Sequence, residues 1–178
     1  MTGKLILLLG GARSGKTDQA QRLAAELGGT VTYVATAEPG DDEMRGRIAA
    51  HRAVRPPAWQ TMERPLRLGD ALTEWDANVV VVDCLTLLVS NILHDTGEHA
   101  PASLVEARVE VELAELLAAW RDAHFHLIVV SNEVGLGLVP EYALGRVYRD
   151  ALGRANQRLA QAAAEVYFMV AGLPLRIK

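Results

Sequence analysis

Five short apolar runs recur along the chain: Leu5 to Leu9, Val31 to Ala35, Val79 to Val82, Leu127 to Val130 and Val166 to Val170. Longer segments with helical periodicity separate them, which is the rhythm of βαβ units and a mostly parallel sheet. Val79 to Val82 has no polar alternate position, so both faces of that strand are expected to lie under helices. Helices are read at Lys16 to Leu27 before Gly28-Gly29, at Asp41 to about Val54 before Pro56-Pro57, and at Arg67 to Trp75 after Pro65. Ser103 and Glu106 have capping-box spacing, which predicts a helix from Ser103 to about Trp120 with Leu104, Val111, Leu113, Leu116 and Leu117 on its apolar face. A further helix is read from about Glu141 to Ala164. The segment Val166 to Ile177, broken by Ala171-Gly172, reads as two strands around a tight turn, the last one antiparallel.

The expected architecture is α/β: a mostly parallel central sheet with helices on both faces and a C-terminal antiparallel strand. With 178 residues, 50% of them hydrophobic, the chain can bury one sizeable core, and one domain over residues 1–178 is expected. His94 to Ala102 reads as a loop too short to be an interdomain linker. Charge narrows the partners. A net charge of −4 implies no broad basic surface, which argues against nucleic acid. Cys84 is the only cysteine, so no intramolecular disulfide can form, in agreement with a reducing cytoplasm. Leu5 to Leu9 is too short for a signal segment or a membrane span, and none is expected.

Gly10-Gly11-Ala12-Arg13-Ser14-Gly15-Lys16-Thr17 matches the phosphate-loop pattern in full and lies between a predicted strand and a predicted helix. Such a loop wraps backbone N–H groups around phosphates, Lys16 reaches the β and γ phosphates, and the Thr17 hydroxyl can ligate Mg²⁺. The chain is therefore expected to bind a nucleoside triphosphate. Asp83 closes the Val79 to Val82 strand, where a carboxylate can hold Mg²⁺ directly or through water, or else cap a helix beginning at Leu85. Asn132 and Glu133 end the next apolar run, either at the same sheet edge or as turn residues.

Arg47, His51 and Arg55 fall at i, i+4 and i+8 of the helix from Asp41, with Arg55 at or past its end. Beside a triphosphate this would place a nucleophile among phosphate-neutralising cations, as covalent nucleotidyl transfer needs; a solvated basic face is the ordinary alternative. Asp41-Asp42-Glu43 suits the first turn through the helix dipole. His94, His99, His124 and His126 lack metal-ligand spacing, so no protein-bound metal site is expected from them. Trp59, Trp75 and Trp120 read as partly buried core residues, with a place beside a ligand as the alternative for Trp59, soon after Pro56-Pro57.

These residues resemble the bifunctional adenosylcobinamide kinase and adenosylcobinamide-phosphate guanylyltransferase family of cobalamin biosynthesis. The resemblance runs nearly end to end through Gly10 to Thr17, Ala35-Thr36, Asp41 to Met44, Arg47-Ile48, His51, Arg55-Pro56, Trp59, Asp83 to Thr86, Asn132 to Gly135, Val139 to Glu141, Arg149-Asp150 and Gly153 to Leu159. It implies a RecA-like P-loop NTPase fold and two activities. One phosphorylates the aminopropanol hydroxyl of adenosylcobinamide; the other transfers GMP from GTP to the resulting phosphate, with release of pyrophosphate. It implies that His51 carries the GMP, and that Lys16 and Asp83 act on the phosphates and Mg²⁺. Nucleotide contacts are implied at Gly10 to Thr17, at Ala35, Thr36 and Ala37, at Arg52, Ala53, Val54 and Arg55, and at Glu63 and Asp83. ATP and GTP are the implied substrates and a homotrimer the implied assembly. Some relatives have Glu where this chain has Asp83, and Ala53-Val54 would have to contact a nucleotide through backbone. The rivals are a small-molecule P-loop kinase with no covalent step and a RecA-like nucleic-acid ATPase, the second disfavoured by the acidic charge balance.

Overall fold

Each of the five apolar runs becomes a strand of one seven-stranded sheet. The computed structural model describes residues 3–72, 77–97 and 99–178, with the backbone alone at 47, 71 and 72. In chain order the elements are β1 (Leu5–Gly10), α1 (Lys16–Leu27), β2 (Val31–Ala35), α2 (Asp42–Ala53), β3 (Gln60–Glu63), α3 (Leu68–Leu72), β4 (Val79–Asp83), α4 (Leu85–Thr96), α5 (Ala102–Asp122), β5 (His126–Val130), α6 (Ala143–Ala162), β6 (Glu165–Val170) and β7 (Leu173–Arg176). The spatial order is β3-β2-β4-β5-β1-β6-β7. Every pairing is parallel except β6 with β7.

Because side chains alternate across a strand, each central strand feeds two cores. Leu5, Leu7, Val80, Val82, Leu127 and Val129 enter the larger one, with α4, α5 and α6 packed over it. Ile6, Leu8, Tyr33, Val79, Val81, Ile128 and Val130 enter the smaller one, covered by Ala20 and Ala24 of α1. Helices thus cover both faces. Each fully buried Val, Leu or Ile stabilises the fold by about 1.5–3 kcal/mol, so the sheet centre is the most firmly held part of the molecule. No described side chain of α2 belongs to either core.

Several expectations are corrected. The capping box at Ser103 does not form: α5 begins one residue earlier, after Pro101, with no side-chain cap. Its buried face runs through Val105, Val109, Glu112, Leu113, Leu116 and Leu117, while Leu104 and Val111 are exposed. The expected loop from His94 is helical to Thr96, and α6 starts at Ala143 rather than near Glu141. The edge strand β3 was not expected, since Gln60–Glu63 carries no apolar run. Of the helix expected from Arg67 to Trp75, Leu68–Leu72 is seen, and Trp75 lies outside the described residues. The Glu112 carboxylate, buried in α5, accepts the Leu68 and Arg67 backbone N–H groups at 2.7 and 3.1 Å and so holds the start of α3.

Candidate active site

Strand register brings the candidate residues to one edge. Ala35 pairs with both Glu63 and Asp83, Asp83 pairs with Val130, and Val130 pairs with Leu8, two residues before the phosphate loop. The C-terminal ends of the parallel strands therefore lie in a row, the edge where open α/β sheets place their ligands.

The loop after β1 is locked by its neighbours. Gly10 has φ 153°, and a Cβ there would lie 2.6 Å from the Met169 carbonyl oxygen. Gly15 has φ 90° and lies against Gly172 of the β6–β7 turn, whose N–H donates to the Ser14 carbonyl at 3.0 Å. The Lys16 ammonium, buried, donates to the Gly10 and Gly11 carbonyls at 3.1 and 2.5 Å and to Ser14 Oγ at 3.4 Å. Burial holds its pKa below the ordinary lysine value, with Asp83 and Cys84 beside it pulling the other way. Phosphate oxygens entering the loop would offer charged acceptors in place of those carbonyls, and charge-assisted bonds are the stronger kind.

Across from the loop, Asp83 Oδ2 accepts the Thr17 hydroxyl at 3.2 Å and also the Tyr33 hydroxyl. A hydroxyl and a carboxylate so placed suit Mg²⁺, an oxygen-seeking ion that takes its remaining ligands from phosphates and water. The capping alternative for Asp83 finds no support, because Cys84 occupies the N-cap of α4 with no side-chain cap bond. Tyr33 is fully buried, and burial together with the Asp83 carboxylate pushes its phenol far above the ordinary value, so it remains a donor. On the ring of Tyr33 lies the Arg55 guanidinium, 3.9 Å from the centroid.

Thr36 holds the corner that follows β4. Its hydroxyl accepts the Cys84 N–H and donates to the Cys84 carbonyl, both at 2.8 Å, across a cis Asp83-Cys84 peptide. Its carbonyl accepts from Asn91 at 2.8 Å, and because the hydroxyl is engaged at both Cys84 groups, a nucleotide contact from the Thr36 side chain would have to displace a bond of this corner. Burial and Asp83 push the Cys84 thiol up to about 11. Asn132 and Glu133 act as ties: the Asn132 N–H donates to Thr86 Oγ1 at 2.8 Å and the Glu133 N–H to the Gly10 carbonyl at 3.1 Å.

Helix α2 begins under an Asp41 cap, whose carboxylate accepts the Met44 N–H at 2.7 Å. His51 and Arg52 occupy its last turn, and His51 is exposed, as are Ala53 and Val54. Its C-terminal end meets the sheet through polar contacts. Arg52 pairs with Glu63 at 3.1 Å, and beyond the helix Arg55 donates to Thr61 Oγ1 at 3.4 Å while stacking on Tyr33. A shallow groove of about 430 Å³ runs along the helix between Pro39, Arg45, Ile48 and Arg52. Sequence reasoning missed Tyr33 and the contact of Gly172 with the phosphate loop; the one available signal for Tyr33 was a phenol in a mostly apolar strand.

Residues 6–177 match the family described as cobinamide kinase / cobinamide phosphate guanyltransferase. The chain belongs to this family. It is 41% identical to the bifunctional adenosylcobalamin biosynthesis protein CobU of Escherichia coli, over 98% of this chain and 99% of that one. It is 45% identical to the bifunctional adenosylcobalamin biosynthesis protein CobP of Pseudomonas aeruginosa, over 97% and 96%. A solved RadB recombinase aligns with a TM-score of 0.54 at 20% identity, over 94% of this chain and 74% of that one, which shows a RecA-like P-loop fold. As a member of the cobinamide kinase / cobinamide phosphate guanylyltransferase family the chain is a transferase with both activities in adenosylcobalamin biosynthesis, using nucleoside triphosphates on a small-molecule cobinamide substrate. Among the described residues no helix is long and apolar enough to cross a membrane.

Proposed function

We propose that one phosphate cradle serves both activities and that His51 carries the GMP from GTP to adenosylcobinamide phosphate. In the kinase step the aminopropanol hydroxyl of adenosylcobinamide attacks the γ phosphorus, and the bond to the β-phosphate oxygen breaks to release the nucleoside diphosphate. In the second step a His51 imidazole nitrogen attacks the α phosphorus of GTP and pyrophosphate leaves. A phosphate oxygen of adenosylcobinamide phosphate then attacks the same phosphorus, the P–N bond breaks, and adenosyl-GDP-cobinamide forms. Lys16 neutralises charge on the β and γ phosphates in both steps, and Thr17 with Asp83 would hold Mg²⁺ there. Bound, that ion would supply charge neutralisation to the phosphates.

The observation carrying this reading is the chain of contacts from Arg55, just past α2, to the Tyr33 ring, from Tyr33 to Asp83, and from Asp83 to Thr17. It ties the end of the histidine helix to the phosphate site. The nucleotide contacts in this reading are Gly10 to Thr17, Ala35 to Ala37, Arg52 to Arg55, Glu63 and Asp83. The same reading takes residues 1–178 as one nucleotide-binding domain, working in the cytoplasm as a homotrimer. Exposed Val170, Leu173, Leu175 and Ile177 on the C-terminal hairpin offer apolar surface for such an assembly.

The test uses GTP labelled at the α phosphate with Mg²⁺, followed by denaturation. Label is expected on the wild type, stable to alkali and lost in acid, and absent from His51→Ala, which keeps its kinase activity. An unlabelled wild-type protein that binds GTP would instead make it a kinase acting without a covalent step. Equal loss of both activities in folded His51→Ala would end the division of roles.

A further inference from the structure

Tyr33 is the bulkiest fully buried side chain among the described residues, yet it is more than core filling. Its neighbours in the smaller core, Val31 and Ala35 on the same face of β2, are purely apolar, and a phenylalanine would fill the same space. What distinguishes Tyr33 is a hydroxyl reaching Asp83 Oδ2, the oxygen that also receives the Thr17 hydroxyl. Two donors on one carboxylate oxygen restrict its rotation. The phenol ring carries a second load, the Arg55 guanidinium at 3.9 Å from its centroid, whose buried Nε has no hydrogen-bond partner. A buried unpaired donor on a cation is costly unless a ligand completes it.

We propose that Tyr33 is a positioning residue for the nucleotide-bound metal: it fixes the Asp83 carboxylate through its hydroxyl and, through its ring, couples that carboxylate to Arg55 at the end of α2. This inference rests on the reading of Thr17 and Asp83 as the residues that hold Mg²⁺. The hydroxyl acts on the metal side and the ring on the helix side, so the two can be separated. Tyr33→Phe removes the first and keeps the second at constant volume.

GTP affinity of Tyr33→Phe is measured by calorimetry with Mg²⁺ and again with a chelator, after thermal melting shows the variant folded. Affinity is expected to fall about tenfold with Mg²⁺, the scale of one lost hydrogen bond to a charged group, and to be unchanged in chelator. Arg55→Met is expected to weaken GTP in both media. Equal weakening of Tyr33→Phe in the two media, or none in either, overturns the positioning role and leaves Tyr33 a core residue. Asp83→Asn separates the two failures. If it leaves the Mg²⁺-dependent part of the affinity intact, the metal reading itself is wrong; if it removes that part while Tyr33→Phe retains it, only the role of Tyr33 falls.

Discussion

Lys16 is 8% exposed and its ammonium meets two loop carbonyls, whereas His51 stands exposed on a helix of which no described side chain enters either core. The phosphate loop is held by Gly172 and Met169 of the C-terminal hairpin and by Glu133 after β5, while α2 meets the sheet mainly at its C-terminal end, through Arg52 and, just past the helix, Arg55. The contrast fits what each region would have to do under the proposed roles. Charge developing on transferring phosphates is best met by donors fixed in advance, because they need no reorganisation at the moment of reaction. A side chain that takes a nucleotidyl group from GTP and yields it to a large acceptor must remain open to both. Rigidity therefore belongs to the loop and accessibility to the helix.

The sharpest way to break this comparison is Lys16→Ala. If the loop serves both reactions, both should fall by about a hundredfold to a thousandfold, the range for one lost charge-stabilising donor. Separate assays of cobinamide phosphorylation and of guanylyl transfer would measure it. Loss of only one activity would mean that the two reactions do not share their phosphate site.

A smaller effect is expected at Thr36, where the comparison concerns stability. Thr36→Val keeps the shape of the side chain but strands the Cys84 N–H and carbonyl that the hydroxyl serves. The expected loss is about 1–3 kcal/mol, and the melting temperature should fall by about 2–4 °C for each kcal/mol. Cys84 gives an independent readout. With its thiol pushed up to about 11, the folded protein holds on the order of a hundredfold less thiolate at pH 8 than an ordinary thiol, so iodoacetamide should label it slowly. Labelling should rise with pH toward that value and should be faster in Thr36→Val. Equal labelling of the two proteins would show that Thr36 does not hold the corner.

The loop half of the site was legible in the sequence because its signals are local. Gly10 to Thr17 follows a strand and opens a helix, and Asp83 ends four consecutive valines. The other half depends on pairings the sequence does not display. Tyr33 meets Asp83 because β2 lies beside β4, and Thr36 brackets Cys84 for the same reason. β3 escaped because an exposed edge strand needs no apolar run. α5 was misphased because apolar residues lie on more than one side of it: the stripe Val105, Val109, Leu113 and Leu116, at i, i+4, i+8 and i+11, packs inward and leaves Leu104 and Val111 exposed. The length of α4 was hidden because its polar positions, Ser90, Asn91, His94 and Asp95, gather in its C-terminal half, where they run on into the polar segment after Thr96 and read as loop.

The smallest effect should come from Arg52→Ala. This removes the ion pair between Arg52 and Glu63, whose side chains are 61% and 56% exposed, so solvent screens most of its attraction. Exposed pairs of this kind contribute about 1 kcal/mol at most, and long side chains lose rotamer freedom in holding them. Thermal melting in low salt and in 1 M salt would check it, and the two conditions should give nearly the same shift, with added salt reducing what little there is. A loss as large as that of Thr36→Val would mean that α2 is held to β3 as firmly as the Asp83-Cys84 corner is held to β2. The accessible histidine helix would then owe its position to the ion pair rather than to the stacking of Arg55 on Tyr33.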